Sequence, residues 1–308
     1  GVMGAEANTP LDYGIAGVNW SAQLMNLNVG PTNPNVANVT QAVDYAWKNG
    51  AHIINMSLAL PCSAQSGCSA TLRNAINAAG DRDVIVIAAA GNDGTNVDDP
   101  NYPGKVPVNY DLPNIITVAA TKLDDSRLPV SSWGAVSVDV AAPGDGLWTD
   151  VPPGPFDLDP PLDDGISNSF GGTSGATPHV AGLAALIKAL RPNIPFELIK
   201  ARILDLSSLN QVAAFDPNGT HPIVTGGRIN ARLTFDDYDP NSPAPITSLA
   251  APYATSSSVT LTWSNTGDDE MTGLATLIKI RRSTAPITES NWLLATPVDA
   301  GMVPGNPG

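Results

Sequence analysis

The chain has 308 residues, 43% of them apolar and 14% charged, more than the roughly 250 to 300 at which a single core stops growing, so two units are expected. A formal net charge of −14 excludes proteins that hold nucleic acid or anionic lipid through Lys and Arg. No apolar run reaches the ~18 residues that a membrane-spanning helix requires.

From the N-terminus, Gln23 to Val29 is the first of five short runs that read as strands, followed by His52 to Ser57, Val84 to Ala90, Ile115 to Ala119 and Ser137 to Ala141. Several are apolar on consecutive positions, as in Val84-Ile-Val-Ile-Ala-Ala-Ala90, the mark of strands covered on both faces in a parallel sheet. Between the first two lies a helix over Val39 to Gly50, with Val39, Ala42, Val43, Ala46 and Trp47 on one face and Gly50 as its stop. Cys62 and Cys68 follow in one short loop, where they form either a local disulfide, worth about 2 kcal/mol and favouring an oxidising compartment, or a pair of thiols. A second helix over Thr71 to Ala79 completes a βαβ pattern, and the sum is a doubly wound, mostly parallel α/β sheet.

Trp148 to Gly165 is rich in Pro, Asp and Gly and reads as an irregular surface loop. Ser174 to Leu190 is apolar nearly all round and therefore a buried helix. A second helix runs from about Pro195 to Leu204, with its Pro in the first turn. After residue 235 the texture changes to an acidic, Pro-stiffened linker over 236–245. Beyond it the period becomes two: Val259, Leu261 and Trp263 alternate with Thr260 and Thr262, then Ile278 and Ile280 with Leu277 and Lys279, as in antiparallel strands.

Chemistry concentrates in Gly171-Gly-Thr-Ser-Gly-Ala-Thr-Pro-His-Val-Ala-Gly182. Its glycines allow close backbone approach, and Ser174 opens a helix whose unpaired N–H groups favour developing negative charge. Asn92, in Gly91-Asn-Asp-Gly94, leaves the carboxyl end of the strand at 84–90, where open α/β sheets bind ligands. Together these segments resemble the subtilisin-like serine proteases, in which Gly-Thr-Ser precedes Pro-His-Val-Ala-Gly and Ala-Ala-Gly-Asn ends a strand. Ile54-Asn-Met-Ser-Leu-Ala-Leu60, Asn101-Tyr-Pro-Gly104, Asn114-Ile-Ile-Thr-Val-Ala-Ala120 and Val138-Asp-Val-Ala-Ala-Pro-Gly144 extend the likeness over nearly all of 1–235.

The resemblance implies a secreted, monomeric endopeptidase acting on polypeptides. Ser174 would be its nucleophile and Asn92 its oxyanion donor, with the Ser57, Leu58 and Ala59 backbone and Ala90 and Gly91 at the substrate. Two positions depart from the family: Gly175 replaces its usual Met, and Ala59 its usual Gly, whose added Cβ narrows the first specificity pocket. No cofactor enters the chemistry; the family often holds a structural Ca²⁺ at the loop that here contains Asn8 and Asp12, but this loop is longer than the family's form, which leaves open whether the site is retained. The excess acid otherwise serves solubility.

A Ser nucleophile needs a base, and the chain has three histidines. His179 is turned about 140° from Ser174 on the same helix; His52 opens a buried strand; His221 lies outside every recognised motif. Gly1-Val-Met-Gly-Ala5 and Gly14-Ile-Ala-Gly-Val-Asn-Trp20 resemble the family's sequence just after its catalytic His, so the expectation is that the catalytic His and Asp lie upstream and that these residues alone are inactive. Two other readings stay open: an α/β-hydrolase drafting His221 with Asp205 or Asp216, and a degenerate, non-catalytic binding module. Ile246-Thr-Ser-Leu, Val259-Thr-Leu-Thr-Trp263 and the Gly-Asp-Asp turn at 267–269 resemble a fibronectin type III domain. About 100 residues make such a sandwich, so 246–308 would be a partial one.

Overall fold

The computed structural model describes residues 1–6, 15–30, 34–61, 69–150, 166–216, 218–236, 246–255, 258–264, 280–284, 286 and 296–298. The chain divides into two compact units, Gly1–Asp236 and Asp237–Gly308.

In the first unit, helix α1 (Val36–Lys48) starts where the Asn35 side chain accepts the Asn38 N–H at 2.8 Å. It buries Val39, Val43 and Ala46 and ends before Gly50, whose φ of +86° suits a residue without a Cβ. Strand β1 (Ile53–Met56) follows, then the short β2 (Leu60–Pro61) and helix α2 (Ala70–Gly80), capped by Ser69 Oγ on the Leu72 N–H. Next come β3 (Ile85–Ala89), β4 (Lys105–Val106, paired with β2), β5 (Ile115–Thr121) and β6 (Val140–Pro143). Strands β7 (Leu147–Asp150) and β8 (Ile166–Phe170) form an antiparallel pair. Then follow α3 (Thr173–Leu190), α4 (Phe196–Leu204), β9 (Leu209–Gln211), β10 (Gly227–Ile229) and α5 (Ala231–Asp236).

The central sheet runs β1-β3-β5-β6-β10-β9; all neighbours pair parallel except β9, which runs antiparallel to β10. Two-faced burial shows residue by residue in β3. Ile85 and Ile87 pack with α3 and α4, whereas Val84, Val86 and Ala88 pack with α1 and α2. Successive side chains of a strand point to opposite faces, so the consecutive apolar run supplies both layers at once. Each such aliphatic side chain contributes about 1.5–3 kcal/mol by leaving water.

Two expectations are corrected. Gln23 to Val29 forms no strand: among the described residues β1 pairs with β3 alone, and Leu24 and Met25 are 55% and 42% exposed. The alternation is real, but a strand exists only where a neighbour exchanges peptide hydrogen bonds. Trp148 to Asp150, assigned to an irregular loop, instead belong to β7, because the Pro-rich composition begins only after the strand has paired with β8. Residues 151–165, the Cys62–Cys68 loop and the loop with Asn8 and Asp12 lie outside the described residues.

In the second unit, β11 (Ala250–Ala254) pairs antiparallel with β12 (Val259–Thr262), and β13 (Ile280–Arg282) with β14 (Thr296–Val298). Leu261 and Trp263 are half-buried while Thr260, Thr262 and Ser264 are exposed, although Val259, on the same alternation, is also exposed.

Candidate active site

Because β1, β3 and β6 run parallel, their carboxyl ends lie on one edge of the sheet, and the segments leaving them converge on the start of α3. The segment after β6 binds first: the Gly172 N–H donates to the Gly144 carbonyl at 2.7 Å. Contact is too close there for a side chain, since a Cβ on Gly144 would lie 2.6 Å from the Gly172 oxygen. Gly172 has φ +75°, and a Cβ on it would meet the Asn92 carboxamide at 2.9 Å. Glycine is required on both counts.

The segment leaving β3 supplies the cap that α3 lacks in its own sequence. Asn92 Oδ1 accepts the Thr173 N–H at 2.9 Å and the Thr173 hydroxyl at 3.0 Å, while Thr173 Oγ1 accepts the Gly91 N–H at 3.2 Å. The backbone N–H is obligately a donor, which fixes the carboxamide with its oxygen toward α3 and leaves Nδ2 to donate elsewhere. The Ser174 N–H belongs to the same first turn, ahead of the Gly175 and Ala176 N–H groups that reach back to the Gly172 carbonyl, and so has no i−4 acceptor within the helix.

From the end of β1, Ser57 meets the nucleophile position twice. Ser174 Oγ donates to the Ser57 carbonyl at 3.2 Å, and Ser57 Oγ donates to the Ser174 carbonyl at 2.8 Å. Asn55 Nδ2 donates in turn to Ser57 Oγ at 3.0 Å. The structure thus brings Ser57, Asn92 and Ser174 to one place. Leu58 and Ala59 continue past β1 in no strand, half-buried, with Leu58 against the α1–α2 layer. Ala90 is fully buried with its N–H on the Val118 carbonyl, and the Gly91 carbonyl accepts the Ser132 N–H. Both therefore form floor beneath the site.

None of the three histidines bonds to Ser174. His179 Nδ1 lies 3.1 Å from the Gly175 carbonyl, and burial pulls its pKa below the usual 6.5. His221 bonds Thr220 at 2.9 Å and packs edge-on against Trp133. Asp205 and Asp216, drafted for the hydrolase reading, accept from Ser207 and Asn218 in local turns. His52, whose pKa burial also lowers, senses Lys188 and Asp83 rather than the site. Among the described residues no group of three or more His, Cys, Asp and Glu could hold a metal ion.

Sequence reasoning missed four neighbours. Thr173, buried, ties α3 to the segment after β3; Asn55 orients Ser57. Leu147 and Phe170, cross-strand partners of β7 and β8, fill the space beside Gly175, where an added Cβ would meet Leu147 Cδ1 at 2.6 Å and Phe170 Cε1 at 3.5 Å. The missing side chain at Gly175 was the available signal, since space next to a buried glycine must be filled from elsewhere.

A sequence profile of the subtilase family, peptidase family S8, matches residues 1–225. Subtilisin Savinase of Lederbergia lenta is 34% identical over 194 residues, which cover 62% of this chain and 63% of that protein. An extracellular protease of Xanthomonas campestris pv. campestris is 33% identical over 192 residues, covering 58% of this chain and 30% of the relative. The chain thus spans less than two thirds of either. Among solved structures, a protease of Pseudoalteromonas arctica superimposes with a TM-score of 0.58 at 28% identity, covering 72% of this chain and 65% of that one.

Proposed function

The chain belongs to the subtilase family, and from that premise we propose that it is the nucleophile-bearing part of a secreted serine endopeptidase. The observation that carries the proposal is the convergence on one helix turn of the Ser174 hydroxyl, the Asn92 carboxamide and the carboxyl end of β1. Ser174 Oγ attacks the scissile carbonyl and forms an acyl-enzyme. The developing oxyanion accepts from Asn92 Nδ2 and the Ser174 N–H, an interaction whose loss costs ~10² to 10³ in kcat in subtilisin itself. Residues preceding the scissile bond pair with the backbone of Ser57, Leu58 and Ala59 as an added strand, over the floor formed by Ala90 and Gly91.

The proton of Ser174 goes to a histidine oriented by an aspartate, both supplied by the protein upstream of Gly1. The positions of His52, His179 and His221, none bonded to Ser174, support this division. Without the base the hydroxyl rests on the Ser57 carbonyl, and the 308 residues alone turn over slowly; loss of a key triad member costs ~10⁶ in kcat in subtilisin. Residues 246–308 are read as the start of a fibronectin type III sandwich, supported by the antiparallel pair β11–β12 and the half-buried Leu261 and Trp263.

Fluorophosphonate labelling of the protein expressed with its upstream coding segment tests the reading. Labelling that Ser174→Ala abolishes supports it, and labelling that survives the substitution removes Ser174 as the nucleophile.

A further inference from the structure

Helix α3 carries Pro178 in its interior, buried, four residues after Ser174. In an α-helix the carbonyl of residue i is served by the N–H of residue i+4. Proline has no N–H, and its ring presses on the i−4 carbonyl, so here the carbonyl of Ser174 lacks the donor that residue 178 would otherwise supply. A carbonyl so placed costs stability unless another group donates to it. Ser57 Oγ does so, at 2.8 Å from a position 117 residues away in sequence.

The Ser57 hydroxyl is itself oriented. Asn55 Nδ2 donates to it at 3.0 Å, which leaves the hydroxyl proton to point at Ser174. Asn55 and Ser57 lie on the same chain two residues apart, one in β1 and one just beyond its end, so the relay is anchored in the central sheet. The order Asn55 → Ser57 → Ser174 carbonyl is a directional chain in which each hydrogen bond polarises the next.

We propose that Asn55 and Ser57 are positioning residues: together with Pro178 they latch the backbone of the nucleophile to the strand end that carries substrate. The helix gives up one internal hydrogen bond at Ser174, and the sheet takes that carbonyl instead. The spacing between attacking oxygen and bound peptide is thereby set by β1 rather than by the free swing of a helix end. The proposal rests on Ser174 being the nucleophile for its kinetic consequence, and on the hydrogen bond alone for its structural one.

The two parts are tested separately. In the 308-residue chain, Ser-Gly pairs occur only at 66–67 and 174–175, so ¹³C-carbonyl Ser with ¹⁵N-Gly labelling reports the Ser174 carbonyl by NMR, with Gly175→Ala assigning the signal. Ser57→Ala and the isosteric Asn55→Asp, whose carboxylate would accept from Ser57 and turn its proton away, should both shift that signal. Ser57→Thr should restore it. A signal unmoved by either substitution overturns the latch, whatever the nucleophile.

In the protein with its upstream segment, Ser57→Ala and Asn55→Ala should each lower kcat about 10- to 10²-fold with KM changed less, and the double variant should lose no more than Ser57→Ala alone. Pro178→Ala with Ser57→Ala should regain unfolding temperature, because the helix again serves the carbonyl, without regaining kcat. Additive losses, or recovery of kcat with stability, overturn the positioning role. Labelling that survives Ser174→Ala instead strikes the nucleophile assignment and leaves the NMR result standing.

Discussion

Asn92 Oδ1 accepts the backbone N–H of Thr173 at 2.9 Å, so the carboxamide proposed to stabilise an oxyanion is aimed by the helix whose nucleophile it assists. One end of the amide holds α3, and the other is the end that the proposal assigns to the oxyanion. The two ends can be separated by mutation. Asn92→Asp keeps the capping oxygen and should lower kcat ~10² to 10³-fold with little change in unfolding temperature. Asn92→Ala should lose the same rate and a further ~1 kcal/mol of stability with the cap. Steady-state kinetics of both variants in the protein with its upstream segment, together with thermal unfolding, decide it; equal stability loss in the two would show that the oxygen is not the cap.

Gly172→Ala should be costly although it adds one methyl group. Its φ of +75° is rarely adopted by an L-residue, and the methyl carbon would lie 2.9 Å from Asn92. Strain of this kind costs about 1–3 kcal/mol, read as a lower denaturant midpoint at unchanged slope. Displacement of Asn92 should also slow labelling of Ser174.

A side chain at position 175 should depend on position 147. Gly175→Met alone forces a Cβ to within 2.6 Å of Leu147 Cδ1, and overpacking of this sort costs about 1–3 kcal/mol. Leu147→Ala alone opens a cavity. The double variant should recover much of both losses, a non-additivity expected only of residues sharing one space. Thermal unfolding of the four proteins measures it; additive losses would show that the β7–β8 pair does not fill this position.

Acidification should destabilise the fold before any carboxylate titrates at its ordinary value. Burial lowers the pKa of His179 below 6.5, so between that lowered value and 6.5 the unfolded chain binds a proton that the folded chain does not. Stability is therefore full above about pH 6.5 and falls as pH drops toward the folded value, where the loss levels off. His179→Gln should flatten this slope relative to the parent. Asp139, whose pKa burial raises, acts with the opposite sign above 3.8, but it is common to both proteins and cancels in the difference. Unfolding midpoints at pH 5 to 8 for the pair are the measurement.

Much of this molecule can be read along the chain because its signals are local. Val39, Val43 and Ala46 at helical spacing, with a stop at Gly50, predict α1 to within a few residues, and the consecutive apolar run at 84–90 predicts a strand covered on both sides. The motif around Ser174 names its own helix. What resisted reading depends on partners distant in sequence. Gln23 to Val29 has the pattern of a strand and no neighbour to pair with among the described residues, while β9, β10 and α5 are too short to show a period. In the site, Pro178 is visible in the sequence, but its effect on Ser174 appears only once Ser57 is seen at the vacated carbonyl. Leu147 likewise has no motif; it matters because Gly175 leaves room.

The sharing of β3 between two layers dictates where this domain tolerates change in length. Adding or deleting one residue within 85–89 would swap the aliphatic sets facing α1–α2 and α3–α4, undoing both interiors in a single step. Grafted loops or tags belong instead at turns such as that around Leu123, whose side chain is 91% exposed, where the peptide can lengthen without disturbing the reading frame of the sheet.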